Sequence, residues 1–194
     1  MILYFVNNSG YIIIVHSPQE IHRGSRKEHM IKWKTVVSVT MRNIEIVGMS
    51  GDTRFEDIVK YFIDLGGDVI LLDPDMVCGK DHLASAVMHA ERAFRNGTNR
   101  SKNILTETIL YAAGERQISK AIEKMKPKEG RKEMAAIIFD VKSFEPDAIG
   151  MKRRDELLNP TEEKARNLGV EMYEGVSVED AVLEHVAFLD LMKQ

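Results

Sequence analysis

Residues 114–118 read Gly-Glu-Arg-Gln-Ile and place a cation and an amide side chain beside a break between two helix patterns, 103–113 and 115–125. Gly114 can adopt the left-handed conformation that ends a helix. Glu115 suits the first turn of the next helix, where the helix dipole favours a carboxylate. A helix start with free backbone N–H groups, flanked by Arg116 and Gln117, can bind an anion such as a phosphate. The alternative is a tight helix–helix corner with a solvated arginine.

The helices on either side must position this corner. An apolar stripe on the second helix is expected to pack inward, and it consists of Ile118, Ala121, Ile122 and Met125. On the first helix, Glu107 faces the centre of the pattern and could be a buried acid of raised pKa. It has no His or Lys partner at a suggestive spacing, which favours a structural hydrogen-bonding role.

The remaining periodicity predicts both strands and helices, in a chain whose length fits one domain. Strands are predicted at 43–49, 68–72 and 134–141, with the apolar strand 68–72 in the middle of the sheet. The helices are predicted to begin at a Thr53 capping box, at an Asp81 cap before 82–96, at Thr161 and at a Ser177 capping box, the last helix running to Lys193. The alanine-rich helix 82–96 is expected to be the central one.

Composition sets limits on function. The 194 residues are 44% hydrophobic and 29% charged, which is typical of a soluble globular protein. A net charge of −3 gives no global attraction to nucleic acid, so any such binding requires a local patch. The single cysteine, Cys78, excludes an internal disulfide framework and fits a reducing compartment. We therefore expect a cytoplasmic protein without a structural zinc site, cofactor or membrane span.

Residues 1–40 form a separate region in the predicted organisation, with the main domain over 41–194. Apolar runs at 2–6 and 11–15 flank a Gly-containing turn and predict a β-hairpin. The basic stretch 16–34 is interpreted as a flexible linker or a nucleic-acid-binding arm. Alternatively, the segment is outside the native fold and the strand pattern at Met41 marks its natural start.

Local positive charge flanks the corner in two clusters along the chain. The first cluster is Arg92, Arg95, Arg100 and Lys102. The second is Arg116, Lys120, Lys124, Lys126, Lys128, Arg131 and Lys132. Ordinary surface charge interspersed with glutamates is the simplest interpretation, but two clusters near one helix start favour contacts with nucleic-acid phosphates.

No motif for catalysis is evident. The chain has no Gly-rich phosphate loop with its lysine, no dinucleotide fingerprint, no His-Glu-x-x-His pair and no Gly-x-Ser-x-Gly elbow. His82 and His89 lack an acidic partner at metal-binding spacing and are expected to be solvated or at the edge of the core. The competing hypothesis is a small enzyme or binding module for a phosphorylated or nucleotide ligand near Glu115, with Glu107 or His82 as acid or base. A third hypothesis is a scaffold that contacts only protein.

A larger pattern connects these residues. It comprises Asp81-His82-Leu83, Ala86 through Ala90 to Ala93-Phe94, Glu107, the block 111–118 and Ala121-Ile122. This pattern resembles the TPRKB family, the smallest tRNA-binding subunit of the KEOPS complex. The similarity extends from about residue 43 to the C-terminus and is loose over 142–168. The Gly-x-Arg-Gln-Ile block is its most specific part.

The resemblance implies an α/β (α+β) fold, a single domain with a small mixed sheet packed by several helices. It also implies a non-catalytic accessory role in forming N6-threonylcarbamoyl-adenosine in tRNA. Its first partner would be the kinase-like ATPase of the complex, whose activity it would regulate. Its second partner would be the tRNA, which it would recruit through the 3′ CCA end. Other KEOPS subunits would be indirect partners. The family block places Arg116 and Gln117 near the tRNA, and charge and placement add Lys80, Arg92, Arg95 and Lys102. The terminal helix carries more apolar surface than one core needs, so we expect it to bind the kinase-like partner through Val182, His185, Val186 and Leu189. The alternative for this helix is an internal core role.

Overall fold

The computed structural model describes residues 6–7, 10–11 and 42–192. Two short strands, β1 (Val6–Asn7) and β2 (Gly10–Tyr11), pair antiparallel with Val6 opposite Tyr11, at the position of the predicted hairpin. The rest of that hairpin, the basic stretch 16–34 and the alternative start at Met41 lie outside the described residues.

A four-stranded sheet forms the centre of the main domain. Its strands are β3 (Ile44–Gly51), β4 (Asp68–Leu72), β5 (Glu133–Phe139) and β6 (Met151–Arg153). They lie in the order β4-β5-β3-β6, and every pair is antiparallel, where a mixed sheet was expected. The prediction that β4 lies in the middle of the sheet is wrong, because β5 occupies the position between β4 and β3. All five residues of β4 are nevertheless buried, since its two faces contribute to two cores.

Helices surround the sheet, and this confirms the α/β class with several helices. They are α1 (Phe55–Asp64), α2 (Lys80–Asn96), α3 (Ile104–Ala113), α4 (Ile118–Met125), α5 (Glu162–Asn167) and α6 (Val178–Met192). Short 3-10 turns occur at Pro74–Met76, Pro146–Ile149 and Asp155–Leu158.

The two faces of the sheet carry separate hydrophobic cores. On one face, Val69 and Leu71 of β4 pack with Ile58 and Phe62 of α1. On the other face, Ile70 belongs to the larger core, which includes residues of α2 through α6. Because successive side chains of β4 point to opposite faces of the sheet, α1 packs on one face and the other helices pack on the other.

Two predicted helix caps are wrong. The Thr53 hydroxyl donates to the Ile149 carbonyl instead of capping, and α1 begins at Phe55. Gly79 is the N-cap of α2, so Asp81 lies inside its first turn.

The predicted caps of the last two helices are confirmed. The Lys164 N–H donates to Thr161 Oγ1 over 3.3 Å, and the Asp180 N–H donates to Ser177 Oγ over 3.1 Å. The most enclosed helix is α3, with eight of its ten residues buried, rather than α2, with six of seventeen.

Candidate nucleic-acid corner and partner-facing helix

The corner between α3 and α4 differs from its prediction in one respect. Gly114 has φ 63°, and the Glu115 N–H donates to the Leu110 carbonyl over 3.0 Å, so the left-handed helix end is confirmed. However, α4 begins at Ile118 with Gln117 as its N-cap. Glu115 is therefore not in the first turn of α4, and the helix begins after Arg116 and Gln117 instead of before them.

Glu115 helps to fix the corner. Lys124 of α4 donates from Nζ to the Ala113 carbonyl over 2.9 Å and to Glu115 Oε1 over 3.3 Å. This tie attaches α4 to the end of α3. Arg116, Gln117 and Ile118, which follow immediately, are all exposed. Ile118, with 37% of its surface exposed, does not belong to the buried part of the predicted stripe, although Ala121 and Met125 do.

The corner also touches the terminal helix. A Cβ atom on Gly114 would overlap the imidazole ring of His185, which lies on α6. His185 Nε2 is buried and has no hydrogen-bond partner among the described residues. Burial, followed by the positive charge of Lys124, lowers the pKa of His185, so the ring is neutral against the corner at physiological pH. The end of α3 is thus held by side chains from both α4 and α6.

The two groups considered for acid–base catalysis are both sealed in the core. Glu107 has no exposed surface, and its Oε2 accepts the N–H groups of Arg100 over 3.0 Å and Ser101 over 2.8 Å. His82 accepts the Cys78 N–H at Nδ1 over 3.2 Å and pairs with the Ala112 carbonyl through Nε2 over 2.9 Å. Neither side chain is placed to reach a ligand, so the structural interpretation of Glu107 is confirmed. The expectation of a solvated or core-edge His82 is wrong.

Several of the predicted cationic residues form ion pairs within the chain. Lys80 contacts Asp155 at 2.7 Å, and Arg92 pairs with Asp190 of α6. In the second cluster, Arg131 binds Asp75 with two nitrogens, at 2.5 and 2.9 Å, and this pairing lowers the pKa of Asp75 to about 2. The other paired members are Lys124 with Glu115, Lys126 with Glu123, Lys128 with Asp75 and Lys132 with Asp52. Most of the second cluster is therefore locally neutralised.

Other cations have no such compensation. Within residues 42–192, no carboxylate lies within 4.0 Å of the exposed Arg95, Arg100, Lys102, Arg116 and Lys120. The sequence suggested that these cations converge on one helix start, but in the structure they do not. Arg95, Arg100 and Lys102 lie around the start of α3, whereas Arg116 follows the end of α3. The ten residues of α3 separate these two positions by about 15 Å.

The four residues predicted to bind a protein partner do not form a surface. Val182, Val186 and Leu189 have no exposed area and pack in the larger core, while His185 lies against Gly114. The prediction that these four residues bind a partner is therefore corrected, since the apolar stripe that they mark on α6 faces the core. The outer face of the helix instead carries Phe188 and Leu191, which are 51% and 63% exposed.

A polar cluster holds α6 in this orientation. Asp190 accepts from the Tyr111 hydroxyl of α3, from Arg92 of α2 and from His89 Nδ1, the last over 2.8 Å. Burial opposes ionisation of Asp190, but these three hydrogen bonds outweigh it and lower its pKa. Burial and the bond to Asp190 raise the pKa of Tyr111. Three helices therefore meet at one carboxylate.

A small α/β domain with an exposed apolar helix face and an uncompensated cationic corner has the features of a protein that binds other macromolecules through its surface. The family model described as Kinase binding protein CGI-121 matches residues 56–166, more than half of the chain. The chain belongs to this family of kinase-binding proteins, which confirms the resemblance. A search of curated proteins finds no significant match. Across residues 42–192, no helix is long and apolar enough to span a membrane.

Proposed function

We propose that this protein is a non-catalytic accessory subunit of the KEOPS complex in the cytoplasm. It binds and regulates the kinase-like ATPase subunit and recruits tRNA through the 3′ CCA end for N6-threonylcarbamoyl-adenosine formation. Membership of a kinase-binding family supports the first role. The exposed Arg116-Gln117-Ile118 corner, inside the matched segment, supports the second.

The corner offers the contacts that an unpaired RNA end needs. The Arg116 guanidinium can pair with a phosphate, and the Gln117 amide can donate to and accept from base or sugar atoms. The exposed Ile118 adds an apolar surface beside them. Lys124, Glu115 and His185 hold the preceding backbone, so the corner does not have to become ordered on binding.

Binding of the full chain to deacylated tRNA, with and without its 3′ CCA, tests this role. We expect removal of CCA to weaken binding by about tenfold or more, and Arg116→Ala to weaken it by about fivefold to tenfold, as for loss of one charged contact. In Arg116→Ala, the slope of log affinity against log salt concentration should be smaller by about 1. Lys142→Ala is the matched control, since Lys142 is exposed beside Val141 and Phe144 of the α1-side core. Equal effects of the two substitutions would contradict the assignment.

The outer face of α6 is the proposed surface for the kinase-like subunit. Phe188 and Leu191 are three residues apart and lie on one side of the helix, with the exposed Ala187 beside them. Glu184 lies one turn before Phe188 and is also exposed. An apolar patch beside an exposed carboxylate fits a protein surface better than it fits an RNA backbone.

Affinity for the purified kinase-like subunit tests this surface. Phe188→Asp combined with Leu191→Asp should weaken binding by more than about tenfold, because charges replace exposed apolar anchors. Leu65→Asp is the control, since Leu65 is 43% exposed but follows α1 on the opposite face of the sheet. Circular dichroism and thermal melts should show that both variants remain folded. Unchanged affinity of the double variant would exclude this face.

A further inference from the structure

The connection between α2 and α3 carries three exposed cations that the corner does not explain. They are Arg95 in the last turn of α2, and Arg100 and Lys102 in the loop, and together we name them the loop cluster. Over residues 42–192 no carboxylate lies within 4.0 Å of any of the three, in contrast to Arg92, which pairs with Asp190. The connection therefore has a net positive potential at the surface.

The loop that bears these cations is fixed from inside by buried hydrogen bonds. The Glu107 carboxylate accepts the N–H groups of Arg100 and Ser101. Ser101 Oγ donates to the Asn103 carbonyl over 2.5 Å, and Asn103 in turn caps α3 by accepting the Leu105 N–H over 2.7 Å. These bonds turn the loop backbone toward the core, while the Arg100 and Lys102 side chains remain in solvent. Glu107 is thus a positioning residue for a surface loop.

The composition of the connection indicates which partner it suits. Residues 95–103 read Arg-Asn-Gly-Thr-Asn-Arg-Ser-Lys-Asn and contain no aliphatic or aromatic side chain. A protein interface generally has an apolar centre, which is missing here. Phosphate contacts require only cations and small polar donors such as asparagine, serine and threonine, all of which are present.

We propose that the loop cluster binds the phosphate backbone of the base-paired stem that adjoins the single-stranded 3′ end of the RNA. This inference rests on the proposed function, in which the unpaired end lies at Arg116. The two sites are at opposite ends of α3, about 15 Å apart. Three stacked nucleotides rise by only about 10 Å, so a stacked RNA must extend beyond its CCA end to occupy both. Phosphate contacts at the loop cluster then set the direction of the stem, while the corner binds the unpaired 3′ end.

Two RNAs separate the two contacts: an acceptor-stem hairpin with a 3′ CCA overhang, and a short single strand ending in CCA. The test variant of the full chain is Arg100→Ala with Lys102→Ala. The control, with the same charge change, is Lys142→Ala with Lys152→Ala, two exposed lysines without a carboxylate within 4.0 Å in the part of the chain that the structure describes. We expect the test variant to bind the hairpin about tenfold more weakly, with the log–log salt slope reduced by roughly 1 to 2. Its affinity for the single strand and the behaviour of the control should match the wild type.

Each result has a distinct meaning. Equal weakening toward both RNAs, or no weakening toward the hairpin, overturns the stem assignment. If the wild type binds both RNAs and only Arg116→Ala weakens them, the inference fails while the proposed function stands. If the wild type binds neither RNA, the proposed tRNA role fails first. Lost affinity for the kinase-like subunit in the test variant would assign the loop cluster to protein instead.

Discussion

Gly114 is subject to two independent constraints at the scale of a single residue. Its φ of 63° disfavours any side chain, and a Cβ would overlap the His185 ring. Gly97, which ends α2, provides a natural comparison: its φ is 68°, but a Cβ there would meet nothing within 4 Å. The two glycines therefore separate backbone strain from steric overlap.

Gly114→Ala should lower the free energy of unfolding by about 3 kcal/mol, as the sum of left-handed strain and overpacking. Gly97→Ala should cost only about 1 kcal/mol, from strain alone. Urea denaturation of both variants measures the difference. Combining Gly114→Ala with His185→Ala should recover part of the loss, because the overlapping ring is removed. Equal costs at the two glycines would show that the contact with His185 is unimportant.

His82 predicts a dependence of stability on pH. Burial lowers its pKa to about 4, compared with about 6.5 in an unfolded chain. Between these values the unfolded chain binds a proton that the folded chain does not, so the free energy of unfolding falls as pH falls. The loss attributable to His82 should be about 2 kcal/mol between pH 7 and pH 5.

Urea denaturation at both pH values, with wild type and His82→Gln, measures this effect. The variant should show a smaller decrease, although not none, because the pKa of His185 is lowered in the same direction. An identical decrease in both proteins would mean that His82 is not the titrating group.

At the scale of elements, α6 depends on Asp190 for its attachment to α2 and α3. Asp190→Asn weakens acceptance from Tyr111, Arg92 and His89, and should cost about 2 kcal/mol, since bonds to a charged group are the stronger kind. Glu184→Gln, on the exposed side of α6, should change stability by less than about 0.5 kcal/mol. Hydrogen exchange should localise the effect of Asp190→Asn to α6. Similar protection in both variants would argue against this anchor.

The sequence predicted elements well where the signal is local. Hydrophobic spacing identified α1, α3 and α6, and the cap residues Thr161 and Ser177 and the terminator Gly114 marked helix ends. It failed where tertiary contacts decide. The position of β4 at the sheet edge depends on pairing with β5, which follows more than sixty residues later. The start of α4 at Ile118 also differs from the prediction, and Glu115, which was expected in its first turn, contacts Lys124 over 3.3 Å.

At the scale of the whole molecule, the sequence located the corner but not its electrostatics. Arg116 and Gln117 are exposed beside the end of α3, and their contact with tRNA stays a prediction. The ion pair of Arg131 with Asp75 joins residues 56 positions apart, and no sequence spacing reveals it. The same holds for Arg92 and Asp190, which are 98 positions apart. Ion pairing between distant segments therefore decides which cations remain available, and only the folded chain provides that information.

The corner and α6 are on the same side of the sheet and touch at the contact between Gly114 and His185. Because Arg116 lies in the turn between α3 and α4 and Phe188 lies on α6, each surface should be separable by mutation. Phe188→Asp with Leu191→Asp should leave tRNA affinity within about twofold, and Arg116→Ala should leave affinity for the kinase-like subunit equally unaffected. His185→Ala removes the contact that joins the surfaces and should weaken both interactions. Titrations of each variant against both partners measure this, and loss of tRNA binding in the Phe188/Leu191 variant would mean that the two partners share one surface.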